Sequence, residues 1–223
     1  DGAHSFTATA TDAAGNTSSD ASTNELAIDL NALSAQLAAL SDTGAPNDRV
    51  TSDDTPRIEG VTGPGATVTI SEGGVPLATV TADATTGAWG VDTSQLAEGV
   101  HTLTITDSAN KTVTLQLTID RTAPSAPTAD LTPASDSGTL GDRITSDTTP
   151  TLSGQGTAGD TIQVKDAQGN LIATATVQPD GTWSATPVLP LPEGVNNLSI
   201  TATDPVGNES GATVLPITID TTT

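Results

Sequence analysis

The sequence predicts an all-β fold of tandem, seven-stranded antiparallel sandwiches in a linear array. Three observations carry that prediction. The first is an internal repeat: SDTGAPNDRVTSDDTPRIEG at 41–60 matches SDSGTLGDRITSDTTPTLSG at 135–154 without gaps, 94 residues on. Trp89 and Trp183 keep the same spacing, EGVHTLTIT at 98–106 matches EGVNNLSIT at 193–201, and LTID at 117–120 matches ITID at 217–220. A repeat of 94–100 residues is too long for a solenoid unit and suits an independently folding sandwich. The second is a period of two: Val113, Leu115, Leu117 and Ile119 alternate with Thr114, Gln116, Thr118 and Asp120, giving one buried and one wet face. The third is turn chemistry every 8–12 residues, as in AGD, AQGN, QPDG, LPEG and PVGN of the second copy.

In chain order, residues 1–29 read as the last two strands of a truncated copy. DGAHSFTATATDAAGNTS at 1–18 aligns with EGVNNLSITATDPVGNES at 193–210, and AID at 27–29 closes the piece. Phe6, Ala8 and Ala10 alternate as core positions do. The chain opens mid-pattern at Asp1 and reads as cut from something longer. An isolated hairpin is marginal in water, so this one is expected to pack on something.

Residues 30–120 form the first complete repeat. LNALSAQLAAL at 30–40 has helix-forming residues, but Leu37 and Ser41 align with Leu131 and Ser135, where the second copy reads ADLTPAS. Proline there rules out a helix interior, so 34–40 is assigned as the first strand. Residues 121–223 form the second repeat, with strands at about 127–133, 149–156, 160–166, 171–177, 182–188, 195–203 and 211–219. Trp89 and Trp183 share one strand position and are expected in the core rather than on a sugar platform.

Composition limits function. The chain carries 27 acidic and 6 basic residues, a formal charge of -21. That charge argues against nucleic acid and against docking on anionic lipid surfaces, since both call for Lys and Arg. Without Cys there is neither a disulfide nor a thiolate metal site. No apolar run reaches the roughly 18 residues of a membrane span. His4 and His101 share a repeat position that the second copy fills with Asn196, a poor place for a catalytic base. Hydrolase, metalloprotease and phosphate-loop motifs are absent, and the chain is read as no enzyme.

The SD-x-G-x-x-x-D-R-[IV]-T-S-D-x-T-P segments, the TATD-x-x-GN hairpins at 9–16 and 201–208 and the ID-x-T stops at 120–122 and 220–222 together resemble the bacterial immunoglobulin-like repeats of giant non-fimbrial adhesins exported by type I secretion. The resemblance covers essentially the whole chain. It implies immunoglobulin-like sandwiches forming a long extracellular rod on the bacterial surface, a role in virulence, calcium at and near the linkers, and host binding through distal repeats. The first full copy departs from the pattern: its hairpin reads TDSANK, shorter and without the Gly, which sets Asp107 apart from Asp12 and Asp204.

Strand parity places the acids. With seven antiparallel strands, the loop after the first strand lies at the end where the chain leaves. In the second copy that end gathers Asp136, Asp142, Asp147 and Asp220; in the first, Asp42, Asp48, Asp53 and Asp120. Asp204, on the hairpin between the sixth and seventh strands, lies at the opposite end, facing the preceding repeat, and so does Asp160. Asp29 and Asp12 are the partial copy's equivalents of Asp120 and Asp204, and Asp107 holds that hairpin position in the first repeat. Carboxylates of two repeats and their linker would thus meet near Asp120. Such oxygens suit calcium better than magnesium, whose tight octahedron is rarely all-protein, or zinc, which wants Cys and His. Plain turn chemistry is the competing account, because loop Asp caps its own backbone. Asp160, Asp166 and Asp180 are read as turn residues. The expected partners are neighbouring repeats of the same chain and, through distal repeats, a host glycan or receptor. A binding module that itself recognises glycan is the rival function.

Overall fold

The computed structural model of the chain describes residues 2–4, 7–21, 26–28 and 32–222. Among them every regular element is a β-strand, and no helix is long and apolar enough to cross a membrane. The N-terminal piece supplies β1 (Gly2–His4), β2 (Thr7–Thr11), β3 (Thr17–Ala21) and β4 (Leu26–Ile28). β2 pairs with β3, and β1 with β4, both antiparallel. The expected burial of Ala8 and Ala10 fails, because β2 is exposed along its length. Alternation hides a face only against a second sheet, and among the described residues these strands pair only with one another. Phe6 lies outside the described residues.

The first repeat comprises β5 (Gln36–Leu37), β6 (Val50–Thr51), β7 (Arg57–Val61), β8 (Thr67–Glu72), β9 (Val75–Thr81), β10 (Ala88–Asp92), β11 (Gly99–Asp107) and β12 (Thr112–Ile119). The second repeats the series as β13 (Asp130–Leu131), β14 (Ile144–Thr145), β15 (Leu152–Gln155), β16 (Thr161–Lys165), β17 (Leu171–Thr176), β18 (Thr182–Ala185), β19 (Gly194–Thr203) and β20 (Thr213–Ile219). Each repeat has a three-stranded sheet, β10-β7-β5 or β13-β15-β18, and a five-stranded one, β6-β12-β11-β8-β9 or β14-β20-β19-β16-β17. Of the strand expected over 34–40, Gln36–Leu37 forms β5 and pairs with β7, while Ala39 and Leu40 lie in a turn closed by the Ser41 N–H on the Ala38 carbonyl.

All seven strands expected in the second repeat have counterparts, and β14 is additional. β6 and β14 pair parallel with β12 and β20, so the sandwich is not wholly antiparallel. The cause lies in the loop that carries the chain from one sheet to the other. Arg49 and Arg143 take φ of 62° and 61°, and their carbonyls accept the Thr118 and Thr218 N–H groups. Two paired residues between aspartates leave no alternation to detect.

Alternation elsewhere does what the sequence promised. Leu115, Leu117 and Ile119 of β12 are buried, as are Leu198, Ile200 and Ala202 of β19. Trp89 and Trp183 are 5% and 2% exposed, which removes the sugar-platform reading of either indole. Trp183 faces Gly154 across β15 and β18, and its Nε1 donates to the Thr128 carbonyl at 3.1 Å. A Cβ on Gly154 would overlap that carbonyl and the indole, so only glycine lets strand, linker and ring close together. By contacts the chain divides into two compact units: Asp1–Ser41 with Thr55–Leu117, and Asp42–Asp54 with Thr118–Thr223.

Candidate metal centre

The hairpin aspartates act first on their own backbone. Asp12 Oδ1 accepts the Ala14 and Asn16 N–H groups at 2.9 Å, and Oδ2 accepts Asn16 Nδ2 at 2.8 Å. These bonds, the Asn16 side chain foremost, hold the Asp12 carboxyl below its usual pKa. Asp204 repeats the arrangement with Val206 and Asn208. Asn208 has a second task, because its Nδ2 also donates to the Asp120 carbonyl at 3.0 Å. Asp107 is buried at 5% exposure and takes N–H groups of Ala109 and Lys111 plus the Thr62 hydroxyl at 2.8 Å. Burial alone would raise its pKa, but these donors outweigh it and hold the carboxyl low.

The loops after β5 and β13 hold two copies of another arrangement. Asp42 Oδ2 accepts the Asn47 N–H, and Asp136 Oδ2 accepts the Gly141 N–H, each at 2.5 Å. The other oxygen of each, Asp42 Oδ1 and Asp136 Oδ1, is buried and has no hydrogen-bond partner. Asp136 as a whole is 7% exposed. Asp48 and Asp142 cap Val50 and Ile144 in the same loops. Asp147 accepts from Ser135 Oγ and Thr149 N, while Asp120 and Asp220 cap Thr122 and Thr222 beyond the last strands. Asp53 is half-buried, with its N–H on Thr51 Oγ1. Asp29 lies outside the described residues.

Asp160 is the residue that reading turns by type missed. It is 2% exposed, and its Oδ2 is buried without a partner. Burial, with the nearby Asp204 charge second, pushes its pKa up. The two repeats solve this corner differently. The first sets the Thr62 hydroxyl against Asp107, with Ala66 close by; the second has Gly156 and Asp160 at the corresponding positions, so two carboxylates face each other. The signal was the mismatch between copies at 62/156 and 66/160, which a reading built on their agreement passes over.

Among the described residues no three Asp, Glu or His side chains form a group able to hold a metal ion. What this donor set offers a hard cation is one or two carboxylates at a time, completed by carbonyl and hydroxyl oxygens. Calcium accepts such a shell, whereas zinc does not. Within the second unit the Asp42–Asp54 loop meets the Asp204 hairpin: Ser52 Oγ donates to the Val206 carbonyl at 3.1 Å, and Arg121 pairs with Asp54. A Cβ on Gly44, at φ 105°, would come within 2.5 Å of the Pro205 carbonyl oxygen.

A family model described as the bacterial Ig-like domain matches residues 29–121 and again 122–221. No curated protein sequence matches. Among solved structures, the chain is similar to a tetra-tandem repeat from the extending region of a large adhesion protein, at 24% identity and TM-score 0.34, over 100% of this chain and 57% of that one. The BSP domain of a biofilm-associated protein matches at 22% identity and TM-score 0.34, over 78% of this chain and 29% of that one. Fibronectin(III)-like modules of Clostridium thermocellum CbhA match at 14% identity and TM-score 0.47, over 84% and 94% of the two chains.

Proposed function

The chain belongs to the bacterial Ig-like domain family, and from that premise we propose that it is a rod segment of a bacterial surface or secreted adhesin, stiffened by calcium at and near the junctions of its repeats. In this reading it works outside the cell, performs no catalysis, and projects a distal binding site contributed by other repeats. The observation that carries the calcium is the set of buried carboxylate oxygens without partners: Asp42 Oδ1, Asp136 Oδ1 and Asp160 Oδ2. A buried acceptor that lacks a donor costs about 1–3 kcal/mol, and more when charged. Folds tolerate such a cost where a ligand repays it. Bound calcium would neutralise these carboxylates. Asp160 with Asp204 would hold one ion, and Asp136 and Asp42, each with its own loop, two more.

The test is calorimetric titration of the chelator-treated chain with calcium and, separately, magnesium. Binding at about 10⁻⁴–10⁻³ M is expected for calcium, as in other extracellular modules. Asp160→Asn and Asp136→Asn should each remove a class of sites while leaving the β-sheet circular dichroism intact. No heat, and no thermal shift on adding calcium, would sink the calcium part of the proposal. Among the described residues the rival glycan-binding reading finds no exposed aromatic ring, because both tryptophans are buried.

A further inference from the structure

The second repeat carries an apolar surface groove whose lining includes residues that the first repeat replaces with polar ones. Leu171, Val188, Leu189 and Val195 are 53%, 77%, 70% and 68% exposed, and they line a cavity of about 400 Å³ with Gln168 and Asn197. The groove lies beside β17, the outermost strand of its sheet. Val188 is anchored there by donating its N–H to the Ile172 carbonyl at 3.0 Å, and Ser94 makes the equivalent bond to Leu77 at 3.2 Å. That bond equates Val188 with Ser94, and Leu189 with Pro190 stands where the first repeat has Gln95 alone, ahead of the buried Leu191 and Leu96. Architecture is common to both copies, so fold stability does not require apolar residues at these two positions. Exposing them costs solubility and asks for a purpose.

The lining states the chemistry of an occupant. It contains no aromatic ring, so it offers a sugar nothing to stack on. Its floor is aliphatic, and the rim amides can donate to and accept from a peptide backbone. The one charged group that lines it is Asp166, and the chain has 27 acidic residues against 6 basic. That field repels a second copy of this chain and draws in cations. We propose that the groove docks an extended, cationic peptide segment of another protein, with alternate apolar side chains seated on Leu171, Val188, Leu189 and Val195. An extended strand suits the site because every second side chain would face the groove while the intervening lysines or arginines point away from it, toward Asp166 and the field of a chain of net charge -21.

The experiment uses the full 223-residue chain and a synthetic octapeptide of alternating valine and lysine. Amide chemical shifts should move at the four apolar residues and their neighbours, and fluorescence anisotropy should give saturable binding. The double variant Val188→Ser/Leu189→Gln carries the first repeat's residues, which this architecture already accepts, and should weaken binding at least tenfold. Replacing the peptide's lysines by glutamate should abolish binding, and replacing its valines by serine should weaken it equally strongly. Equal affinity for the double variant, or shifts spread over the acidic loops instead of the groove, would reduce the association to bulk charge and overturn the proposal. So would the absence of any shift at a peptide concentration on the order of 1 mM, the weak limit of specific binding. A neutral glycan that moves the groove signals when the peptide does not would overturn it too.

Discussion

At the scale of single residues, His101 titrates in a predictable direction. Its Nδ1 lies 2.9 Å from Glu72 Oε1 and its Nε2 2.9 Å from the Ala97 carbonyl, so acceptors face both ring nitrogens. Only the imidazolium donates on both sides. Burial pulls its pKa down, but the Ala97 carbonyl and the Glu72 carboxylate outweigh burial, and the net value lies above that of a free histidine. The group therefore adds stability that is fully present below the unfolded pKa of about 6.5 and is lost as pH rises through the higher folded pKa. Denaturant midpoints should fall across that window. In His101→Asn the fall should flatten, since Asn196 already does this task in the second repeat by donating to the Pro192 and Gly194 carbonyls. An NMR titration that places His101 at or below the free value would refute the argument. The tryptophans give a second contrast. Trp183 Nε1 has the Thr128 carbonyl, whereas Trp89 Nε1 is buried without a partner. Changing either to Ala should cost about 3–5 kcal/mol, while Trp183→Phe should cost more than Trp89→Phe by roughly one hydrogen bond, about 0.5–1.5 kcal/mol. Chemical denaturation of the four variants checks both statements.

Among elements, the hairpins and crossover loops separate what sequence reveals from what it hides. Thr62 Oγ1 supplies the donor for the buried Asp107, so Thr62→Val should destabilise the first repeat by about 1–3 kcal/mol, and by clearly less if Asp107→Asn is already present. A double-mutant cycle measures that coupling; strict additivity would mean the bond matters little. The long strands were legible because Leu115, Leu117 and Ile119 or Leu198, Ile200 and Ala202 face a core and obey period two. Their turns were legible because Asp, Asn and Gly carry the turn geometry in their own side chains and backbones. β6 and β14 were not legible, since two residues held by a parallel partner more than 60 positions away leave no local trace. Ala8 and Ala10 show the converse: the alternation is in the sequence, but among the described residues β2 pairs only with β3 and stays exposed. Asp160 escaped because the carboxylate it faces, Asp204, is distant in sequence, and the first repeat has Ala66 in place of Asp160. Periodicity reports shared architecture: it finds the Asp42 and Asp136 loops, which the copies share, and passes over Asp160, where they differ.

For the whole molecule, a charge of -21 on 223 residues sets up the last prediction. Small sandwiches with few aromatics have limited cores, and unscreened carboxylates repel one another across the surface. If calcium binds at ~0.1 mM affinity and ~2 mM is free, each site adds RT ln(21), about 1.8 kcal/mol. Two or three such sites add several kcal/mol, comparable to much of a domain's stability, so thermal unfolding should shift upward by many degrees between chelator and calcium. Simple salt separates this from screening: sodium at equal ionic strength weakens repulsion equally but, with a single charge, binds the buried oxygens of Asp136 and Asp160 far more weakly than calcium. Asp160→Asn makes the sharpest case. It neutralises a buried charge facing Asp204, so in chelator the variant should be more stable than the parent; in calcium the order should reverse, because the parent alone gains the ion. Scattering should follow suit, with the parent's distance distribution narrowing on calcium addition and the variant's narrowing less. A variant that keeps its advantage in calcium as well as in chelator would show that Asp160 is only a strained turn residue, and the cation would then have to be sought elsewhere.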